Sequence, residues 1–145
     1  MTRADLSQSD LRPEELARLQ AAFASVNYAR LLGLELVEVA RGTALLALTV
    51  RPELTRMEGI MHGGALASLM DTASAFAVLT LLAPDERTVT VDLTLHFLRP
   101  VSAGQVKARA CVLRAGRTLA TVSIEATNEA DELVATALTT YAIRR

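Results

Sequence analysis

A chain of 145 residues in which 51% of side chains are apolar can bury a core and is about the size of one domain, so no second domain is needed. Fifteen Lys and Arg against sixteen Asp and Glu leave a formal net charge of −1, which excludes a global basic field for recruiting nucleic acid or an anionic membrane; an anionic ligand has to be met locally. One cysteine, Cys111, excludes an intrachain disulfide, and two histidines, His62 and His96, provide no zinc-ligand spacing, so the expectation is a reducing compartment and no structural metal.

Residues 1–10 are polar and acidic where a signal peptide needs an apolar core, and read as a flexible N-terminus of a cytoplasmic protein; residues 11–145 are expected to form a single domain. From Leu11 a helix is signalled by Asp10 as a cap, Pro13, two glutamates in the first turn, and Leu16, Leu19, Phe23 and Val26 on one stripe. Asn27 to Gly33 closes this segment, with Gly33 as the stop. Leu34 to Val39 and Thr43 to Arg51 read as two strands of a hairpin turned at Arg41-Gly42, and Pro52 to Gly59 as an irregular connection.

His62 to Leu82 reads as a long, nearly all-apolar helix. Ser68, Asp71, Thr72, Ser74 and Thr80 argue against a membrane span, since an Asp at mid-bilayer costs roughly 2.5–3.5 kcal/mol even on a lenient scale. Leu66, Leu69, Met70, Ala73, Phe76, Ala77, Thr80 and Leu81 follow the spacing of a buried helix. Asp71 is the one ionisable side chain between Gly63 and Pro84, and a lone carboxylate on such a helix calls for a reason.

Beyond the turn at Ala83 to Arg87 the chain is almost all strand. Val89, Val91, Leu93, Leu95 and Phe97 alternate with Thr88, Thr90, Asp92, Thr94 and His96, which predicts one apolar and one polar face with a strict period of two. Pro100 ends or bends that strand; Gln105 to Leu113, Thr118 to Asn128 and Glu132 to Ile143 supply three more through hairpin-length connections. The order predicts an α+β architecture, a mainly antiparallel sheet curled around one apolar helix.

Gly63-Gly64 at a helix start exposes unpaired N–H groups, adds the dipole's partial positive charge and lets a ligand atom come close, which suits an oxyanion hole but also suits a tight loop-to-helix junction. Asp71 lies eight residues beyond Gly63, roughly 12 Å along a helix at 1.5 Å per residue. The two cannot act on one carbonyl within a single chain, which argues for a two-fold dimer whose second copy runs antiparallel.

The order of elements, the His62-Gly63-Gly64 start, Asp71 at its spacing, Val91-Asp92-Leu93 before Phe97-Leu98-Arg99-Pro100, and Ala115-Gly116-Arg117-Thr118-Leu119-Ala120 together resemble the hot-dog-fold acyl-CoA thioesterases of the phenylacetate-degradation (PaaI) type, over roughly residues 28–145. The resemblance implies the hot-dog fold and hydrolysis of acyl-CoA thioesters, with aromatic or medium-chain acyl groups, at a dimer interface. It further implies a homodimer that pairs into a homotetramer, and no cofactor, coenzyme A being part of the substrate. No nucleic-acid or membrane partner is expected.

Carried onto this chain, the resemblance makes Asp71 general base or nucleophile and the Gly63 N–H the donor to the thioester carbonyl, with His62, Gly64 and Thr90 beside them. His62 is expected to hydrogen-bond within its loop, and Thr90 falls where a hydroxyl helps hold the attacking water. Phe97, Leu98, Arg99 and Pro100 would line the pantetheine arm, and Gly116, Arg117 and Thr118 the nucleotide, with Arg99, Arg114 and Arg117 available to phosphate. One departure stands out: six residues before the histidine these enzymes commonly carry Asn or Gln, and this chain has Arg56. Arg56 is open to three readings: donation to the same oxygen, pairing with Asp71 of a partner, or solvation. It is also suited to selecting a carboxylated acyl group. A non-catalytic acyl-CoA sensor is the alternative on the same fold; a hot-dog dehydratase is disfavoured because the helix offers Asp71 no second ionisable neighbour.

Overall fold

The apolar stretch forms α3, Gly63–Leu79, in a computed structural model that describes residues 11–145. Before it come α1 (Pro13–Ala24), α2 (Asn27–Leu32), β1 (Glu35–Ala40) and β2 (Thr43–Thr49). After it come β3 (Arg87–Phe97), β4 (Gln105–Ala115), β5 (Leu119–Thr127) and β6 (Leu133–Arg144). The sheet order is β1-β2-β4-β5-β6-β3, every pairing antiparallel, so β1 and β3 are the edges. This is the expected hot-dog arrangement: the sheet wraps α3, whose Leu69, Met70, Ala73 and Ala77 are wholly buried. The expectation of a flexible N-terminus falls on residues outside the described ones; the N-cap of α1 is Arg12 and not Asp10, because the helix begins at Pro13.

A helix buried nearly all round needs its polar side chains satisfied from within. Ser68, Thr72 and Ser74 each donate to the carbonyl four residues back, at 2.7–2.8 Å, so even the fully buried Ser74 carries no unmet hydroxyl. Regular helix ends at Leu79, three residues short of the expected Leu82: the Leu81 and Leu82 N–H groups return to the carbonyls three residues back, Val78 and Leu79, and the Thr80 hydroxyl accepts the Gly42 N–H of the hairpin at 2.7 Å. No helix among the described residues is long and apolar enough to cross a membrane.

Gly33, at φ +78°, stops the second helical turn as expected, its N–H and that of Leu34 both returning to the Ala29 carbonyl. Asn27–Leu32 is itself helical, where the sequence suggested only a closing segment. Above the sheet end, Leu19 of α1 is buried and Phe23 meets Phe76 of α3 edge to face at 5.3 Å. Glu15 fastens this helix: its Oε2 accepts from the Arg12 N–H at 2.8 Å and from Arg41 Nη2 at 2.9 Å.

One strand departs from expectation in a way that matters for the site. β3 does not keep a strict period of two, since its register against β6 shifts between Thr90 and Asp92. Val91 is the extra residue of a β-bulge. Thr88 and Thr90 therefore share the inward face with Leu93 and Leu95, while Val89 and Val91, expected on the apolar face, are more than half exposed. The Asp92 side chain closes the bulge: its Oδ1 accepts the Thr140 N–H at 2.9 Å, and the Thr139 hydroxyl donates to its carbonyl at 2.6 Å.

The Arg12 N–H, then the Arg12 side chain and Arg41, hold the Glu15 carboxyl down to about 2 from its ordinary 4.5. Folding lowers this pKa, so its stabilising contribution is complete above the unfolded value and is lost as pH falls from 4.5 toward 2. On acidification from about pH 5.5 to about pH 3, the wild-type melting temperature should fall further than that of Glu15→Gln, which has no carboxylate to protonate. Parallel curves for the two proteins would contradict this.

Candidate active site

At mid-helix, two hydroxyls from the sheet converge on Asp71. Tyr141 of β6 sits directly opposite Thr90 of β3 in the antiparallel ladder, so the two side chains share the face turned to α3. The Tyr141 hydroxyl lies 2.5 Å from Asp71 Oδ1 and 2.6 Å from the Asp71 carbonyl oxygen, and Thr90 Oγ1 donates to the same Oδ1 at 3.0 Å. Oδ2 has no protein partner among the described residues, and Asp71 is only partly buried. Burial first, and the neighbouring Asp71 carboxylate second, push the Tyr141 phenol well above its usual range, so it stays a donor.

Thr90 reaches Asp71 because of the bulge; unbroken alternation from Leu93 would have turned it outward. Tyr141 is the functional neighbour that sequence reasoning missed. The expectation concerns the helix, which carries no second ionisable group; Tyr141 comes to Asp71 from the sheet. Its only sequence signal is a phenol at an inward position of an otherwise small and apolar strand, which equally marks an ordinary core residue.

The N-terminal pole of α3 carries the other half of the predicted machinery. His62 caps the helix, its Nδ1 accepting the Gly64 N–H at 2.8 Å, which is the within-loop bond expected of it. That leaves the Gly63 N–H without a partner among the described residues. The Phe97 ring lies over Gly63: a Cβ there would stand 2.9 Å from Phe97 Cζ. The approach loop is pinned by Arg56 N–H to the Ile60 carbonyl, His62 N–H to Leu54 and Met61 N–H to Val101, all at 2.7–2.8 Å. Glu58 and Gly59 make its reversal, both with positive φ.

This pinning gathers Arg56, Gly63, Phe97, Leu98, Arg99 and Pro100 around one pocket of about 330 Å³, with Ile60, Met61, Leu66 and Val101 as apolar wall. Arg56 makes one long hydrogen bond, 3.5 Å to the Met57 carbonyl, so its guanidinium is little committed within the chain. Arg99 pairs with Glu132 at 3.3 Å, both exposed. Gly116, Arg117 and Thr118 line a separate hollow of about 380 Å³ with Arg114, at the β4–β5 turn. Asp71 and Thr90 belong to neither pocket. Within one chain, then, the predicted residues fall into three places.

The thioesterase superfamily matches residues 58–135, which take in the end of the loop, α3, β3 to β5 and the start of β6. Human acyl-coenzyme A thioesterase 13 is 36% identical over 108 residues, covering 72% of this chain and 75% of that protein. The medium/long-chain acyl-CoA thioesterase YigI of Salmonella typhimurium is 33% identical over 129 residues, 79% of this chain and 83% of its own. Among solved structures, the Escherichia coli PaaI protein from the phenylacetic acid degradation operon aligns with a TM-score of 0.84 at 27% identity, over 97% of this chain and 96% of that one.

The cap geometry makes His62 testable. His62→Ala should cost about 1 kcal/mol in a denaturant titration, whereas His62→Asn, whose side-chain oxygen can accept the same N–H, should recover most of it. Equal loss in both variants would show that the cap is not what His62 contributes.

Proposed function

The chain belongs to the thioesterase superfamily, and on that premise we propose that it hydrolyses aromatic or medium-chain acyl-CoA thioesters to free acid and CoA, using Asp71 of one chain with the Gly63 N–H of another. As an enzyme it is an acyl-CoA thioesterase; the acyl group and the residue roles are the proposal. One observation carries it. The chain bears two half-sites, a carboxylate oxygen at mid-helix and an N–H opening into a largely apolar pocket at the helix start, neither with a partner among the described residues.

A second copy supplies what each half-site lacks. β3 is an edge strand of eleven residues with exposed Val89, Val91 and Phe97, an unpaired and apolar edge of the kind that soluble proteins cover. Antiparallel pairing of two β3 edges about a two-fold axis sets the α3 helices side by side in opposite directions. The Gly63 of each then approaches the Asp71 of the other. Dimers of dimers are a further step of the same proposal.

In the composite site the thioester carbonyl oxygen accepts from the Gly63 N–H. His62 keeps the Gly64 N–H occupied, so one backbone donor points at the substrate. Arg56, on the same pocket wall, takes the place of the family's amide and donates to that oxygen as negative charge develops on it. Asp71 Oδ2 acts from the partner chain, either taking a proton from water as it adds to the carbonyl carbon or adding itself. Collapse of the tetrahedral species breaks the C–S bond and releases CoA as thiolate; in the first route the thiolate takes up the proton Asp71 removed from water, and in the second an acyl–Asp71 anhydride is left, which water hydrolyses to the free acid, restoring the carboxylate and supplying the thiolate's proton. The apolar wall accepts the acyl chain or ring, Phe97 to Pro100 flank the pantetheine arm, and Arg117 with Gly116 and Thr118 receives the nucleotide phosphates.

A panel of acyl-CoA esters assayed by free-thiol release tests this directly. Wild type should turn over aromatic or medium-chain esters, and Asp71→Asn should lower kcat by about 10²-fold or more. Tight acyl-CoA binding without thiol release would make the protein a sensor instead.

A further inference from the structure

The fold treats the two oxygens of Asp71 differently. Oδ1 receives both sheet hydroxyls, Tyr141 at 2.5 Å and Thr90 at 3.0 Å, while Oδ2 receives none from the described residues. We propose that Tyr141 is a positioning residue for thioester hydrolysis: its hydroxyl occupies Oδ1, locks the carboxylate in one rotamer and presents Oδ2 to the reacting atoms. The inference rests on the reading of Asp71 as the reacting carboxylate.

Three features argue that the hydroxyl, and not only the ring, is used. A Tyr oxygen in a core needs a partner, and Phe would fill the same space without that need. Tyr141 is 1% exposed, and both acceptors of its hydroxyl belong to Asp71, the side-chain oxygen and the main-chain carbonyl. One phenol therefore ties the backbone and the carboxylate of the same residue. The hydroxyl's one proton is shared between the carbonyl oxygen and Oδ1, at 2.6 and 2.5 Å, and a charged carboxylate oxygen is the stronger acceptor of the two.

Thr90 completes the arrangement from across the ladder, and it faces Asp71 only because Val91 bulges out and Asp92 closes the bulge on Thr139 and Thr140. The line of dependence runs from an exposed carboxylate at Asp92, through strand register, to the orientation of Asp71. Tyr141 sits at its end and does not line the substrate pocket at the helix start.

The experiment is a cycle of Tyr141→Phe, Asp71→Asn and the double variant, with kcat and KM on an acyl-CoA that wild type hydrolyses and a melting temperature for each. Tyr141→Phe should lower kcat by roughly 10- to 100-fold, the span of a hydrogen bond to a charged group. KM should stay within about twofold, since no binding contact is removed. In the Asp71→Asn background the same change should leave the residual kcat unaltered, because there is no carboxylate left to orient. The inference is overturned if Tyr141→Phe keeps wild-type kcat, or if it lowers the residual rate of Asp71→Asn by the factor seen in wild type, the mark of a general packing loss. A fully active Asp71→Asn would instead remove the reading of Asp71, and this inference with it.

Discussion

A carboxylate partly withdrawn from water loses hydration that only hydrogen bonds can replace, and on α3 those bonds come from outside the helix. Ser68, Thr72 and Ser74 satisfy themselves on their own helix, but Asp71 depends on Tyr141 and Thr90 from the sheet. The sheet must therefore hold two adjacent strands in one register, with two hydroxyls side by side on the concave face. The bulge at Val91 and its closure by Asp92 meet that requirement. A motif that reads as ordinary strand, Val91-Asp92-Leu93, is in this sense part of the site without approaching the substrate.

The same helix is used twice, and its length keeps the two uses apart. At its start, His62 consumes one N–H and leaves the next free, so the dipole and a single donor face the pocket. At its middle, the carboxylate waits roughly 12 Å away. In the proposed dimer, a separation that disables one chain makes an antiparallel pair productive, and the exposed apolar edge of β3 would be the seam between the two. Arg56 lines the same pocket as Gly63, and in the proposed site it would be a cation beside the backbone donor, a stronger but less neutral partner than an amide.

Much of this was legible in the sequence. The helical spacing in α3, the presence of strands at β2 and β4–β6 and the Gly33 stop are local signals, and the structure keeps them. The eight-residue spacing of Gly63 and Asp71 is what suggested a site shared by two chains, and that arrangement is a proposal. What escaped is what tertiary structure decides. An unbroken alternation from Val89 to Phe97 gives no sign that one residue will be extruded, because a bulge is set by pairing with β6 and by the Asp92 closure. Tyr141 escaped for a related reason: a buried aromatic in a strand of Ala, Leu and Thr reads as core, and its partner lies 70 residues away in the chain. Arg56 was visible as a departure from the family, yet only the loop's hydrogen bonds put it on the wall that Gly63 opens into.

The central claim is that each site takes its carboxylate from one chain and its backbone donor from the other. Asp71→Asn and Gly63→Val are each expected to be nearly inactive as homodimers, the second because a side chain at Gly63 runs into Phe97 and blocks the carbonyl's approach. Co-expressed with different affinity tags and purified as the mixed dimer, they leave one site with both defects and one site with neither. The activity of that heterodimer, set against its two parents, is the direct measurement. The account predicts recovery approaching half of the wild-type rate per dimer; a heterodimer no more active than either parent would contradict it.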